Sequence, residues 1–371
     1  MIYGFIGLGL IGGSIAKAIR AYIPSCTIIA YDIDPESIAL ALADGVINQA
    51  APAIDDSFSS CSFLFLCATV QENDKNLLTL KKFAADNCII TDVGSVKSDI
   101  HTHIAQAGLT HQFIGGHPMT GSERTGYRNA KASLLENAYY ILTPTDETRE
   151  ETIIEYQNLI RTLKAIPLVM SAQEHDYVTA AVSHLPHVIA AALVNLVKNS
   201  DTEDGIMKII AAGGFKDITR IASSSPALWE QVCLANAGNI SALLERYIIQ
   251  LQEIRTALNT NNQNDYSNHS DPHSSLYHFF EAAGHYRDSM PGTTGAITRM
   301  YSLYVDIPDK TGALATIATM LAGHNISIKN IGIVHNREYE SGVLRIEFPT
   351  SGELENAAIL LAGKEYHIYR N

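Results

Sequence analysis

Three groups of residues in this 371-residue chain have types and spacings that could do chemistry. The first is Gly7-Leu8-Gly9-Leu10-Ile11-Gly12, followed by Asp32 at the end of the next apolar run. Gly7 permits a tight turn, Gly9 lets the backbone approach a pyrophosphate, and Gly12 allows close helix–strand packing. Leu10 and Ile11 then lie at a helix N-terminus on which phosphates can rest. A carboxylate at Asp32 would accept from ribose hydroxyls and repel a 2′-phosphate, and no Arg follows it in Ile33-Asp34-Pro35. The pattern therefore predicts NAD over NADP. The competing reading is an unliganded strand–helix turn.

The second group sits at two later strand ends, Asp92-Val93-Gly94-Ser95-Val96-Lys97 and Gly115-Gly116-His117-Pro118-Met119-Thr120-Gly121-Ser122-Glu123. Ligands of an open parallel sheet lie outside the carboxyl ends of its strands, so Ser95 and His117 should face the nicotinamide half. A lone histidine usually belongs to a core. This one stands between paired glycines and a proline, which favours a catalytic role. By contrast, His101, His103 and His111 have no partner pattern and read as surface residues.

The third group is Ser183-His184-Leu185-Pro186-His187 together with Gly213-Gly214-Phe215-Lys216-Asp217-Ile218-Thr219-Arg220. Lys216 and Arg220 are one helical turn apart and share a face, which suits a carboxylate-bearing ligand. Asp217 and other acids could instead neutralise them. A metal set from His175, Asp176, His184 and His187 lacks a recognisable ligand spacing, so no metal is expected.

The elements that must position these groups follow from hydrophobic period. Up to about residue 165, β-branched runs alternate with helical patterns, the signal of a doubly wound parallel sheet with crossover helices. Strands are predicted over 2–7, 27–32, 63–69, 88–93, 113–116 and 139–143. Helical pattern then dominates over 187–198, 206–212, 226–235 and 239–258. In the last of these, Leu243, Leu244, Tyr247, Leu251 and Ile254 form a stripe that reads as core, with a dimer interface as the alternative. Residues 259–275 contain no aliphatic side chain and read as a linker. A short amphipathic piece, 276–286, comes next. Residues 301–371 then read strand, helix, strand, strand, helix, strand, the order of the split ferredoxin-like sandwich. The predicted domains are a dinucleotide-binding domain over 1–168, a helical domain over 169–292 and a small βαββαβ domain over 300–371.

Composition bounds the partners. With 26 basic against 39 acidic residues the formal charge is −13, which disfavours nucleic acid and anionic membranes. In 301–371 the sequence 343–348 lacks the glycine–aromatic pattern that stacks RNA bases. The apolar stretch 177–197 is interrupted by His184, Pro186 and His187, and the start has no basic n-region, so neither a membrane span nor a secretory signal is expected. Five cysteines without a CxxC pair read as thiols of a cytoplasmic protein.

Taken together, GLGLIGGS at 7–14, DVGSVK at 92–97, GGHPMTGSE at 115–123, SHLPH at 183–187 and GGFKDITRIA at 213–222 resemble the prephenate dehydrogenase family of tyrosine biosynthesis. The resemblance implies oxidative decarboxylation of prephenate to 4-hydroxyphenylpyruvate with hydride transfer to NAD. It gives His117 the catalytic base, Ser95 the orientation of that base and of the nicotinamide, and Arg220 a prephenate carboxylate. His187 and Lys216 then assist near the substrate, and Glu123 stands at the rim beside it. Arogenate or cyclohexadienyl dehydrogenase is the alternative activity, because Glu123 could pair with arogenate's amino group. A noncatalytic amino-acid sensor is the alternative of another class.

The final module is similar to ACT domains, which bind amino acids at a shared edge. The matching positions are Asp309, Gly312, Ala313 and Leu314, with Asn325 and Ile326 opening the next strand. End-product logic makes tyrosine the expected effector and a homodimer the expected assembly.

Overall fold

The computed structural model describes residues 1–68, 70–121, 124–260, 274–290, 301–308, 310–334 and 342–370. Ser122, Glu123, Asp309 and most of the 259–275 linker lie outside them. Contacts divide the chain into two units, 1–288 and 289–371, so the first two predicted domains form one compact body.

The first unit opens with β1 (Ile2–Ile6), α1 (Leu10–Tyr22), β2 (Thr27–Tyr31), α2 (Pro35–Ala43), the two-residue β3 (Gln49–Ala50) and β4 (Phe63–Leu66). Next come α3 (Val70–Leu80), β5 (Ile89–Asp92), α4 (Ser98–Ala107) and β6 (Ile114–Pro118). The first five strands form a parallel sheet in the order β3-β2-β1-β4-β5. Their apolar runs are buried between helix layers, as in Phe5 and Phe65, which stack with ring centroids 4.8 Å apart. The strand order reverses between β1 and β4, where a doubly wound sheet opens its ligand crevice.

The all-parallel expectation fails beyond that point. An isolated parallel bridge, Ile90 to Phe113, joins β5 to β6. However, β7 (Tyr139–Pro144) runs antiparallel to β6, and β8 (Ile166–Val169), which follows α5 (Glu150–Thr162), runs parallel to β7. The reason is the β6–β7 connection, which contains no crossover helix. Two short turns, Tyr127–Asn129 and Ala132–Leu134, instead lay it across α1, where the Lys131 amide donates to Ser14 Oγ at 3.0 Å.

The helical part begins with α6 (Ala172–Thr179), a π turn (Ala180–His184) and α7 (Leu185–Ser200). Ser171 caps α6 by accepting from the Glu174 amide at 3.1 Å. The three segments form one unbroken 29-residue rod, long and apolar enough to cross a membrane by length and composition alone. His184, Pro186 and His187 thus do not interrupt the helix. Pro186, which has no amide hydrogen, follows directly on the π turn, where the helical hydrogen-bond ladder is already offset.

Short α8 (Ile206–Ile210) and α9 (Gly213–Thr219) lead to α10 (Pro226–Ala235), α11 (Ala237–Thr260) and α12 (Ser275–Ser289). The stripe on α11 is not core within one chain. Leu243, Leu244, Tyr247 and Ile254 are half-buried and Leu251 is exposed.

The second unit comprises β9 (Tyr301–Ile307), α13 (Ala313–Gly323), β10 (Asn330–Val334), β11 (Gly342–Phe348), α14 (Ser351–Ala362) and β12 (Ile368–Arg370). Its antiparallel sheet has the order β10-β11-β9-β12, the ferredoxin-like arrangement expected from the βαββαβ pattern. Leu303, Val305, Leu344 and Ile346 pack with Ile317, Leu321 and Leu361 to give this unit a core of its own. The strand expected from 326 starts later, because Asn325 turns at φ 56° and Ile326 is buried before β10 begins.

Candidate active site

The loop from β1 to α1 is shaped by two close approaches. Gly7 adopts φ 100°, and a Cβ there would lie 2.8 Å from the Cys67 carbonyl carbon on neighbouring β4. A Cβ on Gly12 would lie 2.4 Å from the Gly7 oxygen. Gly9 differs, since a Cβ would meet nothing within 4 Å, leaving its backbone facing open space at the N-terminus of α1. Asp32 closes β2 and accepts from the Leu8 amide at 2.5 Å and the Asp34 amide at 2.8 Å. A carboxylate has lone pairs beyond these two bonds, so Asp32 both fixes the loop and can still accept from a ribose. The loop, Leu10, Ile11 and Asp32 therefore fit a dinucleotide without a 2′-phosphate.

Beside this loop, β5 and β6 are joined at their carboxyl ends by a buried ion pair. Lys97 is fully buried, and its ammonium donates to the Asp92 carboxylate and, at 2.8 Å, to the Gly116 carbonyl. Burial pushes the lysine pKa down, and the charge of Asp92 opposes that shift. Asp92 also accepts from the Gly94 amide at 2.9 Å and the Gly116 amide at 3.3 Å. The pair thereby sets the turn that carries Ser95 and the strand that carries His117. Sequence reasoning quoted Asp92 and Lys97 only as part of a motif; their short separation across a strand end was the available signal.

His117 projects from β6, and its Nδ1 lies 2.8 Å from Nε2 of His175 on α6. His175 is buried, and its Nδ1 lies 2.8 Å from the Asp176 carboxylate. Asp176 accepts from the Lys97 amide at 2.7 Å and the Ser98 amide at 2.8 Å. Burial works against its charge, but hydrogen bonds from His175, Ser98 and Lys97 hold its pKa below the ordinary carboxylate value. Burial drives the pKa of His117 well below its ordinary value, and the neighbouring His175, Lys97 and His184 push it the same way.

The His117 ring is thus held by a hydrogen bond with His175. Ser95, to which the motif assigned that orientation, lies half-buried on the adjacent turn after β5. His175 and Asp176 had been weighed only as metal ligands. The structure links them instead into a hydrogen-bonded chain with His117, with Asp176 also accepting two backbone amides. His101 also departs from its surface reading: it is half-buried, with Nε2 2.9 Å from Thr143 Oγ1 and its ring edge-on to Phe113.

The substrate-facing candidates gather on α7, α9 and the turn after α9. His187 Nδ1 donates to the Ser183 carbonyl at 2.8 Å, and its ring lies on Trp229 with centroids 3.5 Å apart. Its pKa is lowered by burial and by the charge of Arg220, which places that guanidinium within electrostatic reach. Lys216 and Arg220 are both exposed, and among the described residues neither forms an ion pair. The expected competitor, neutralisation by Asp217, is not realised. His184 is buried behind this group, where Asn236 Nδ2 lies 3.1 Å from its Nδ1, and burial pushes its pKa down to about 4. Trp229 and Asn236 escaped sequence reasoning because nothing in their spacing links α10 or the start of α11 to α7.

Comparison with known proteins identifies the family. The model of the prephenate dehydrogenase nucleotide-binding domain matches residues 15–168, and that of the prephenate dehydrogenase dimerization domain matches residues 171–270. The chain is 39% identical over 357 residues to prephenate dehydrogenase of Bacillus subtilis (strain 168), covering 95% of this chain and 93% of that one. It is 33% identical to prephenate dehydrogenase of Lactococcus lactis subsp. cremoris (strain MG1363), covering 95% of each. Its fold is similar to a crystal structure of prephenate dehydrogenase from A. aeolicus in complex with hydroxyphenyl propionate and NAD+. That similarity has a TM-score of 0.71 at 29% identity and covers 78% of this chain and 98% of the other. The loop at Gly7, the strand-end histidine and the exposed cations thus occur in a chain that belongs to the prephenate dehydrogenase family.

Proposed function

We propose that this chain is an NAD-dependent prephenate dehydrogenase that oxidises prephenate and releases CO2 to give 4-hydroxyphenylpyruvate. The observation that carries the reading is His117, a histidine near the carboxyl end of β6, hydrogen-bonded to buried His175 and with its pKa lowered by burial. Bound NAD would supply the hydride acceptor, held by the loop and Asp32. Prephenate carries two carboxylates, and Arg220 and Lys216 are cations free to bind one. His187 and Trp229 form a flat wall beside them.

His117 takes the proton of the C4 hydroxyl as hydride leaves C4. The ring carboxylate then departs as CO2, its bonding pair entering the ring, and the phenolate oxygen recovers a proton. Aromaticity makes the second step downhill, so the protein supplies only a base, alignment and anion clamps. Ser95, on the turn fixed by Asp92 and Lys97, contacts the nicotinamide side. Glu123, outside the described residues, is assigned to the rim by its motif alone. Formation of NADH from prephenate, compared with arogenate, tests the reading, and a preference for arogenate overturns it.

We further propose that the second unit is an ACT domain that senses tyrosine. Gly312 caps α13 in a left-handed conformation at φ 89°, presenting the first turn, Ala313 and Leu314, to a loop as the motif requires. Asn325 adopts φ 56° before the buried Ile326. Between α13 and β10 lies an apolar cavity of about 310 Å³ lined by Leu314, Ala318, Ile331 and Ile333. Millimolar tyrosine should change activity or melting temperature, and no effect on either excludes it.

A homodimer is the corresponding assembly. Leu196, Ile209, Ile248, Ile249 and Leu258 are exposed apolar residues of the helical part, and the α11 stripe is only half-buried within one chain. A monomer by light scattering at micromolar concentration would overturn it. A cytoplasmic setting suits such a biosynthetic enzyme.

A further inference from the structure

His175 and Asp176 have no part in the chemistry set out above, yet they form a chain with the group that does. Asp176 holds two backbone amides of the β5–α4 turn, so its carboxylate is fixed in place. A carboxylate can only accept, so the 2.8 Å contact with His175 Nδ1 needs the His175 proton on Nδ1. With the ring neutral, His175 Nε2 keeps its lone pair. The 2.8 Å contact from there to His117 Nδ1 then needs the His117 proton on Nδ1. His117 Nε2 is left bare.

We propose that His175, held by Asp176, is a positioning residue that fixes the tautomer of His117 and so presents its Nε2 lone pair to the substrate hydroxyl. The inference rests on His117 being the base. Without the chain, a histidine in this place would distribute its proton between both nitrogens, and the Nε2–H form cannot accept a proton. Burial suits the device: both His175 and Asp176 are shielded, so water cannot replace either partner. His184 is near enough to both histidines to affect them electrostatically, but its Nδ1 is engaged with Asn236, and among the described residues the only hydrogen bond of the His117 ring is the one with His175.

The test combines a spectrum with a pair of substitutions in the full-length protein. Nitrogen-15 correlation spectra of the histidine rings, with NAD present, should show His117 protonated on Nδ1 in the wild type. His175→Gln retains an acceptor oxygen at the end of its side chain, so it should keep that tautomer and a kcat within about tenfold of wild type. His175→Leu has bulk but no acceptor, so it should lose the tautomer and drop kcat about 100-fold or more, with the KM for NAD and prephenate little changed. A wild-type His117 protonated on Nε2, or a folded His175→Leu with wild-type kcat, overturns the proposal. If His175→Leu does not fold, the wild-type spectrum and His175→Gln still decide it. Full activity in a His117→Asn enzyme would instead refute the base itself, whatever tautomer the spectrum showed.

Discussion

Lys97 and Asp92 form an ion pair in which the two side chains are 0% and 4% exposed. The pair joins two strand ends that no covalent link holds together, because Lys97 also grips the Gly116 carbonyl. Removing one partner of such a pair leaves the other charge buried without compensation, at a cost of about 3–5 kcal/mol. Lys97→Met should therefore lower the melting temperature clearly, and thermal denaturation measures it. Stability equal to wild type would mean that Asp92 finds other compensation.

His117→Asn preserves bulk near the cofactor but removes the base. We expect kcat to fall about 100-fold or more while KM for prephenate changes little. Steady-state NADH formation reads both. Retention of more than about a hundredth of the activity would remove His117 from proton transfer.

The pH profile carries a separate expectation. Because His117 has a pKa well below the ordinary 6.5, it stays unprotonated and competent as the pH falls through that value. The acid limb of kcat/KM, which reports the free enzyme, should lie below pH 6.5, with activity lost only as His117 finally gains its proton. A limb at or above the ordinary histidine value would contradict the burial argument.

Arg220→Ala should raise KM for prephenate by about 10- to 100-fold, the worth of a charge-assisted hydrogen bond of ~1.5–3 kcal/mol. The exposed guanidinium has no ion pair to lose among the described residues, so folding should be unaffected. An unchanged KM would take Arg220 out of the site.

Asp32→Ala removes both the ribose acceptor and the hydrogen bond that holds the Leu8 amide. Affinity for NAD should fall about tenfold or more, and discrimination against NADP should narrow. Paired titrations with the two cofactors check this, and an undiminished preference for NAD would assign the selectivity elsewhere.

Whatever depended on local period or on a backbone requirement was legible in the sequence. The strands carrying Phe5, Ile29 and Phe65 are apolar on both faces, and Gly7 and Gly12 are glycines because neighbouring backbone leaves no room for a Cβ. The second unit was equally readable, since β9 alternates against one small core and turn residues separate its elements. What could not be read was pairing over long separations. His175 follows His117 by 58 residues, and Asn236 follows His184 by 52. Only the packing of α6 against β7 and α4, and of α11 against the π turn, brings such polar groups into contact, and no periodic pattern records it. The antiparallel β7 was missed for a related reason: a connection without a helix leaves no periodic mark of its direction. The α11 stripe misled because helical spacing looks the same whether its cover comes from the same chain or from another copy.

The π turn at Ala180–His184 acts as an angular offset between the two halves of the chemistry. An α-helix advances about 100° per residue, so one additional residue accommodated in a wide turn delays everything after it by about that angle. His175 lies before the turn and His187 after it. Winding Ala180–His184 as ordinary α-helix with every residue retained would swing His187 about a quarter turn away from Trp229 while His175 stayed beside His117. The rod is thus a keyed shaft: its strength comes from ordinary helical bonding, and the bearing of the substrate wall relative to the base comes from one surplus residue.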